Sequence, residues 1–454
     1  MLKNKTFLVL LILLLGITFT YAFSASYSTH NIDNIAYVIA IGIDIADIDN
    51  YLKLSFEFID ISSFSEQSSA NSTKPIIEEV SAPSISAGID IMNAYLGKQI
   101  NLSHCKIVVF SEEVAKKGIL SEISEFSNDK QARASANIVV AKESARKYLE
   151  NSMSSLEKTI TKYYDIFTQS TIYTGYTSNI ILGNLYESLL TEESGAIAIY
   201  GNILQEPNNK QDSSSQNSQN TSNSESNSST SSSNTTSSSS SSSSEYSNAS
   251  SNPDKNSSEN YISSSSLENS LKGDKGTLNT GLAVFKDQKF IDTLSSEEAL
   301  CRSILSNDVD NFFISISSPF DNKDFIDLSI SIRRNTKIKI DTSTDSPIIY
   351  IDIFIDSKIS NILDDVDYTS DDTLNAISKE VCIRIEEQIS KYLNRCSKEL
   401  DTDLNNFYRF AKKNFLTNDD WNNYNWKDKF KNSSFNINIE NEIIPNLIIS
   451  RNVP

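Results

Sequence analysis

Apolar residues in the first half of the chain form short segments separated by polar turns. Residues 35–43 are a continuous apolar run of strand length, and residues 52–58 alternate between apolar and polar side chains. A continuous run is typical of a strand buried on both faces, whereas alternation is typical of a strand with one solvated face. Further on, the pattern predicts a helix over 84–96, a strand over 105–110, a helix that begins at Ser111, a strand over 136–141 and a helix through Ala145 and Leu149. Strands and helices therefore alternate, as in a mixed layer structure.

The second half alternates more regularly. Apolar residues recur at every second position over 312–316, 326–332, 349–355 and 435–439, which predicts four strands, and residues 447–450 are expected to close the sheet. Between them, residues 370–400 carry an apolar stripe at three- and four-residue steps, which predicts one long helix with its stripe in the core: Leu374, Ile377, Val381, Ile385, Ile389, Tyr392, Cys396 and Leu400. This half is expected to be an antiparallel sheet with one dominant helix.

A low-complexity tract separates the two halves. Residues 207–273 consist almost entirely of Ser, Asn, Gln, Thr and Glu. Such a segment lacks the apolar surface that offsets the entropy of ordering, so it is predicted to be a disordered linker.

The N-terminus has the layout of an export signal. Lys3 and Lys5 precede an apolar run over residues 7–23, and this run is also long enough to cross a bilayer of about 30 Å as a helix. Ala22-Phe23-Ser24 has the small-x-small pattern of a signal-peptidase cleavage site. Residues 1–25 are therefore predicted to be a signal peptide or an uncleaved membrane anchor.

Taken together, these patterns predict an α+β, multi-domain protein of mixed sheets with packed helices. The predicted parts are the leader or anchor of residues 1–25, an N-terminal α+β region over 28–206 that could divide into two subdomains, the linker over 207–273, and a C-terminal α+β domain over 274–454.

Charge and residue inventory exclude several classes of function. The net charge of −19 disfavours a nucleic-acid partner and docking onto anionic lipid. Only two histidines occur, His30 and His104, which argues against a histidine-based triad or zinc site. The four cysteines form no Cys-x-x-Cys pair, and Cys382 and Cys396 would lie about 21 Å apart on one helix, so free thiols are expected. No catalytic, cofactor-binding or metal-binding residue is predicted.

Three polar or aromatic clusters allow a functional and a structural interpretation. Asp44, Asp47, Asp49 and Asn50 resemble a calcium loop, but the central glycine and closing glutamate are absent, so a hairpin turn is favoured. The acidic patch over 363–367 is interpreted as a solvated loop before a helix. The aromatic residues Trp421, Tyr424 and Trp426 could form an exposed partner surface or could close the core beneath the last strands.

Four stretches together resemble the Ger(x)C family, the C-subunits of nutrient germinant receptors in spores. These are residues 31–44 (NIDNIAYVIAIGID), 97–119 (GKQINLSHCKIVVFSEEVAKKGI), 281–294 (GLAVFKDQKFIDTL) and 403–410 (DLNNFYRF), the last followed by Trp421 and Trp426. Each stretch alone is only a strand, a turn or a helix, but their order and spacing on both sides of a variable loop are similar to this family. The resemblance covers essentially the whole chain outside the first residues and the serine tract.

The resemblance implies a three-domain α+β protein on the outer face of the spore inner membrane. Its partners would be multi-pass membrane subunits of the receptor and a smaller bundle-forming subunit. The chain departs from the family pattern in its long serine tract, in Asp292 where glycine is frequent, in a tail ending without the expected glycine, and in lacking a lipid-attachment cysteine before residues 31–44. The N-terminal hydrophobic segment would therefore have to serve as the membrane tether.

The leading hypothesis is thus a non-enzymatic, membrane-associated receptor subunit that works through contacts with companion subunits in spore germination. The alternative is a secreted solute- or peptidoglycan-binding module. An enzyme such as a cortex hydrolase ranks third, because paired carboxylates cannot be recognised from sequence alone.

Overall fold

The computed structural model describes residue 7 and residues 11–19, 34–59, 76–152, 159–204, 276–320, 325–361, 368 and 370–444. The chain separates into one unit of residues 1–206 and 262–454 and a second unit of residues 207–261. The second unit, the whole predicted linker, the acidic patch and the predicted strand over 447–450 lie outside the described residues. Of the predicted leader, residues 11–19 are described, and they are helical and exposed. Within the described ranges, no helix has the length and apolar character needed to cross a bilayer.

The first sheet has nine strands in the order β3-β2-β1-β5-β6-β7-β8-β9, with β4 beside one end of β1. Its strands are β1 (Ile35–Ile45), β2 (Leu52–Phe58), β3 (Ile76–Ala82), β4 (Gln99–Asn101), β5 (Ile107–Ser111), β6 (Asn137–Ala141), β7 (Ala196–Leu204), β8 (Gly276–Lys286) and β9 (Lys289–Leu294). Strands β1, β5, β6 and β7 run parallel, and antiparallel strands flank them on both sides. Every residue of β5 and β6 is buried, as their unbroken apolar runs predict.

Strands from both sides of the serine tract lie in this one sheet. β7 and β8 pair antiparallel, and Leu204 is in register with Gly276. The tract therefore joins two neighbouring strand ends. β8 and β9, which follow the tract in sequence, complete the first sheet rather than the second.

The second sheet has four strands in the order β10-β11-β12-β13. These are β10 (Asn311–Ser317), β11 (Phe325–Asp341), β12 (Ile348–Asn361) and β13 (Ser434–Ile444). The prediction of a purely antiparallel sheet is wrong, because β13 runs parallel to β12. The reason is the connection between them, since a crossover through helices returns the chain to the same end of the sheet.

Helices cover both sheets, and five of them begin at serine N-caps. The helices are α1 (Ile85–Leu96), α2 (Glu112–Lys117), α3 (Leu120–Asn128), α4 (Ala145–Asn151), α5 (Ile160–Ile166), α6 (Thr171–Thr174), α7 (Leu182–Leu189), α8 (Ser296–Ser306), α9 (Asp371–Asn394), α10 (Tyr408–Ala411), α11 (Asn418–Tyr424) and α12 (Trp426–Phe430). A serine side chain accepts a hydrogen bond from the first turn at the starts of α1, α2, α4, α8 and α9. A π turn, Arg395–Glu399, extends α9, and the predicted stripe on this helix is buried from Ile377 onwards. The predicted α+β class with mixed sheets and packed helices is confirmed.

Strand β2 differs from its prediction, because both of its faces are buried. Leu54 packs against Gly88 of α1 on one face. On the other face Glu57 is fully buried, and its Oε2 accepts a hydrogen bond of 2.8 Å from the Tyr164 hydroxyl of α5. Burial raises the pKa of Glu57 to about 7, and the Tyr164 hydrogen bond opposes this shift. Alternation identifies the strand, but it does not reveal that a later helix covers the polar face.

The buried Glu57 should make folding stability depend on pH. A carboxyl with a raised pKa binds its proton more tightly in the folded state than in the unfolded state. The free energy of unfolding therefore falls as pH rises from about 4.5 through about 7. Relative to Glu57→Gln, the wild-type free energy of unfolding should fall by about 3 kcal/mol between pH 4.5 and pH 8. Urea unfolding followed by circular dichroism at several pH values measures this difference.

Comparing the two proteins isolates Glu57, because other groups titrate in both. In Tyr164→Phe the opposing hydrogen bond is absent, so the midpoint of the pH dependence should move upward. A difference between wild type and Glu57→Gln that stayed flat across this range would contradict the assignment.

Candidate functional site

The carboxyl ends of β1, β5 and β6 meet at one edge of the first sheet, where open α/β sheets commonly bind anionic ligands. Here a side chain of the protein fills that position. The Asp44 carboxylate accepts hydrogen bonds from the backbone N–H of Ala145 at 2.8 Å and of Arg146 at 3.0 Å, and from the Ser144 hydroxyl at 3.1 Å. The N-terminus of α4, which would otherwise attract an anion, is therefore capped internally.

Two of the basic residues beside this edge, Lys53 and Arg146, are also paired. A cavity of about 400 Å³ lies here. Arg146 and Lys53 on its wall both pair with Glu79, at 3.1 Å and 3.3 Å. Asp44 and Glu79 therefore already engage the N-terminus of α4, Arg146 and Lys53.

The acidic turn after β1 is a hairpin, as the sequence favours. β1 and β2 pair antiparallel, and the Ala46 N–H donates to the Tyr51 carbonyl at 3.2 Å across the turn. Asn50 takes the left-handed conformation, with a φ of 62°. Asp44 belongs to β1 and caps α4, so it does not join Asp47 and Asp49 in a ligand set. In the described ranges no group of three or more His, Cys, Asp or Glu side chains is arranged to hold a metal ion.

A second site lies between the two sheets, on residues 395–410, which we call the junction segment. Arg395, at its start, pairs with Asp292 of β9 at 2.7 Å and with Glu298 of α8. Further on, Asp401 pairs with Lys286 of β8 at 2.9 Å, and Arg409 pairs with Glu187 of α7 at 2.7 Å. The junction segment therefore connects the long helix to the edge of the first sheet through charged pairs. Asp292, one of the departures from the family pattern, is among these partners.

Asp403 is the buried centre of the junction segment. Its carboxylate accepts hydrogen bonds from the backbone N–H groups of Asn405 at 3.2 Å and Tyr408 at 2.9 Å and from the indole N–H of Trp426 at 3.3 Å. Its backbone carbonyl accepts from the Gly195 N–H at 3.1 Å. Burial raises the pKa of Asp403 to about 6, although these hydrogen bonds oppose the shift. One residue thereby ties the start of β7 to the helix that leads into β13.

Gly195 allows the junction segment to approach this closely. A Cβ atom at this position would lie 2.1 Å from Thr402 Cγ2 and 2.9 Å from the Phe285 carbonyl oxygen. The second contact is with backbone, which cannot rotate away. A side chain here would therefore push the junction segment off the first sheet.

Two cavities flank the junction segment. One, of about 420 Å³, is lined by residues 188–196, 285–288 and 401–403 together with Lys427 and Phe430. The other, of about 380 Å³, lies between α7, the end of α8, β11 and the loop around Asn405. No sequence motif marks either cavity, because their walls come from segments far apart in the chain.

The predicted aromatic surface is largely enclosed in this structure. Trp421 and Trp426 are 3% and 1% exposed, and their rings stack with centroids 6.2 Å apart. Tyr424 is half-buried and stacks on Trp421 and on Phe415. Leu416, next to Phe415, is 99% exposed. A partner that contacts this cluster would therefore meet Leu416 and Tyr424, and sequence reasoning did not single out Leu416.

Among the described residues, the four cysteines and His104 form no reactive centre. All four cysteines are free, as expected; Cys105, Cys301 and Cys396 are buried and Cys382 is half-buried. Burial raises the pKa of each thiol, to about 12 for Cys105, so these groups stay protonated and weakly nucleophilic. His104 is exposed and contacts the Tyr37 ring edge-on, and His30 lies outside the described residues.

Comparisons with known proteins identify both halves of the chain. Residues 28–202 match the family model for the spore germination protein N-terminal domain, and residues 280–445 match the model described as spore germination B3/GerAC like, C-terminal. Among solved structures, the crystal structure of the GerBC protein aligns with a TM-score of 0.49 and 13% identity, covering 90% of this chain and 98% of that chain. No curated protein matches.

Removing the Asp44 carboxylate should destabilise the fold. Asp44→Ala leaves the first N–H groups of α4 buried without their acceptor, so the free energy of unfolding should fall by about 1–3 kcal/mol. Asp47→Ala, in the exposed turn of the same hairpin, is the matched control and should change stability by less than about 0.5 kcal/mol. Equal effects of the two substitutions in urea unfolding would contradict the capping role.

Adding one methyl group at Gly195 should loosen the junction. Gly195→Ala should lower the free energy of unfolding by about 1–3 kcal/mol and speed amide hydrogen exchange across residues 401–408. Gly183→Ala is the control, since its Cβ would meet Ala134 Cβ at an ordinary 3.5 Å. The control should be neutral or stabilising, because alanine favours the helix. Unchanged exchange in Gly195→Ala would show that the close approach is not required.

Proposed function

This chain belongs to the Ger(x)C family of germinant-receptor C-subunits, and from this premise we propose that it acts in spore germination without chemistry of its own. It is held at the exported face of the spore inner membrane by its N-terminal hydrophobic segment. There it works by contacting companion multi-pass membrane subunits of the receptor. The observation that carries this proposal is the match of both halves of the chain to germination-protein family models in the expected order.

The chemistry of the described residues supports a role in contact rather than catalysis. Three of the four thiols are buried, the fourth is half-buried, and burial raises the pKa of all four. The two buried carboxylates with raised pKa values, Glu57 and Asp403, accept hydrogen bonds from hydroxyl or N–H groups of the protein itself, as expected for a structural role.

The aromatic cluster of Trp421, Tyr424 and Trp426 supports a particular contact surface. The two indole rings stack on each other, Tyr424 stacks on Trp421, and Phe415 contacts both Trp421 and Tyr424. The exposed Leu416 follows Phe415 in the chain. The Lys429 ammonium group lies 4.5 Å from the centre of the Tyr424 ring. An exposed apolar side chain next to a packed aromatic cluster is typical of an interface anchor. We assign this surface, Leu416 with Tyr424, to the contact with a multi-pass subunit.

Copurification from spore membranes tests the assignment. Full-length tagged protein from detergent-solubilised membranes should recover the multi-pass receptor subunit, and Leu416→Ser should reduce its recovery by about fivefold or more at limiting concentration. Ile48→Ser removes an equally apolar residue, 54% exposed, from the β1–β2 turn and should leave recovery unchanged.

Germination assays supply the biological test. Spores lacking this chain should lose the response to at least one nutrient, and the wild-type chain should restore it. Normal germination of the deletion strain with every nutrient would contradict the proposed function. Equal recovery from Leu416→Ser and wild type would contradict only the contact surface.

A further inference from the structure

The exposed face of α1 carries apolar side chains. The helix packs on β2 and β3 through the side that holds Gly88 and Met92, which are buried. On its other side Ile91 and Tyr95 are 47% and 69% exposed, and Ala94 between them is exposed as well. Residues four apart are neighbours on a helix surface, so these side chains form one patch, which we call the α1 patch. The solvent face of an amphipathic helix normally carries polar or charged residues instead.

The α1 patch lies where the N-terminal part of the chain joins the first sheet. After α1 the chain turns at Gly97 and enters β4, whose Gln99 is in register with Ile35, the first residue of β1. Within this turn the Asn93 side chain of α1 accepts a hydrogen bond of 2.7 Å from the Ile100 N–H of β4. The C-terminal end of α1 is therefore fixed beside the N-terminal end of β1.

The start of β1 is also the point at which the proposed membrane anchor is attached to the sheet. Residues 20–33 connect it to the helical, apolar residues 11–19. Even a fully extended chain of this length spans no more than about 50 Å. When the anchor is in a bilayer, the surfaces around the start of β1 are held close to the lipid, and the α1 patch is one of these surfaces.

The local charge suits a membrane surface better than the charge of the whole chain does. Asp and Glu account for 59 of the 454 residues, yet neither occurs over residues 91–111, where Lys98 and His104 are exposed. The chain before β1 is similar, because its first acidic residue is Asp33. Asp90 borders the α1 patch and is exposed. A protein with a net charge of −19 is repelled by anionic headgroups, so it approaches a bilayer most easily through a surface of this kind.

We propose that the α1 patch rests in the interfacial region of the bilayer, an inference that depends on the N-terminal tether of the proposed function. Tyrosine favours this region because its ring is apolar and its hydroxyl is polar, so Tyr95 lies at the headgroups beside Ile91. Two side chains alone hold a protein on lipid only weakly. The tether raises the effective concentration of lipid at the α1 patch, so a weak contact is enough to orient the protein on the membrane.

Quenching of tryptophan fluorescence by lipid tests this contact. The two natural tryptophans, Trp421 and Trp426, are buried, so an indole placed on the surface is measured above a constant background. Full-length Tyr95→Trp is reconstituted into phosphatidylcholine vesicles, either plain or brominated on the acyl chains just below the headgroups. Bromine quenches an indole only at short range. The emission that the substitution adds should therefore be about twofold lower in the brominated vesicles.

Matched variants locate the contact. Tyr173→Trp replaces a tyrosine that is 64% exposed on α6, a helix that packs on β10, and its added emission should be the same in both kinds of vesicle. In the Tyr95→Trp protein, Ile91→Ser removes the apolar neighbour and should abolish most of the quenching. Ile172→Ser, which changes an isoleucine of 43% exposure on α6, should leave the quenching as it was.

Flotation of the same vesicles on a density gradient separates this inference from the proposed function. Protein that does not float with the vesicles contradicts the N-terminal tether, and the lipid contact of α1 with it. Protein that floats while Tyr95→Trp is quenched no more than Tyr173→Trp overturns only the lipid contact, as expected if the α1 patch meets another protein surface. Equal loss of quenching from Ile91→Ser and Ile172→Ser would also overturn it. The α1 patch shares no residue with the contact surface of Leu416 and Tyr424.

Discussion

Asp403 holds a carboxylate in the interior between the two sheets, and the arrangement of that region depends on how its oxygens are satisfied. Its side chain collects N–H groups from the following loop and from Trp426, while its carbonyl takes the N–H of Gly195. A buried carboxylate without these donors would be costly, and the donors would be orphaned without it. The loop conformation, the position of the tryptophan and the approach to the first sheet are consequently fixed together.

This protein, with a net charge of −19, buries the carboxylates of Asp44, Asp403 and Glu57, and each has a different kind of hydrogen-bond partner. Asp44 caps a helix N-terminus, Asp403 is surrounded by N–H groups, and Glu57 relies on a tyrosine hydroxyl together with a pKa near neutrality. Basic side chains at the sheet edges are likewise paired, as in the contacts of Arg395 with Asp292 and Glu298. Polar groups thus hold defined positions between elements, a role compatible with a subunit that acts through its shape.

The serine tract connects two strands that are already paired with each other in the first sheet. Because Leu204 and Gly276 are paired in the sheet, the intervening residues can vary in length without altering the strands that they connect. The junction segment, in contrast, is bound to both sheets, and it precedes Leu416 and the helix that carries Tyr424.

The sequence by itself determined part of the secondary structure, the α+β class and the family, since hydrophobic periodicity and the order of four short stretches are local properties. It correctly indicated a hairpin after β1 and a buried stripe on α9. Only the tertiary structure decided that Glu57 is buried, that β13 runs parallel to β12, and that β8 and β9 complete the first sheet. These features depend on which distant segments cover a face, extend an edge or enclose a space, and no periodicity within a single segment carries that information.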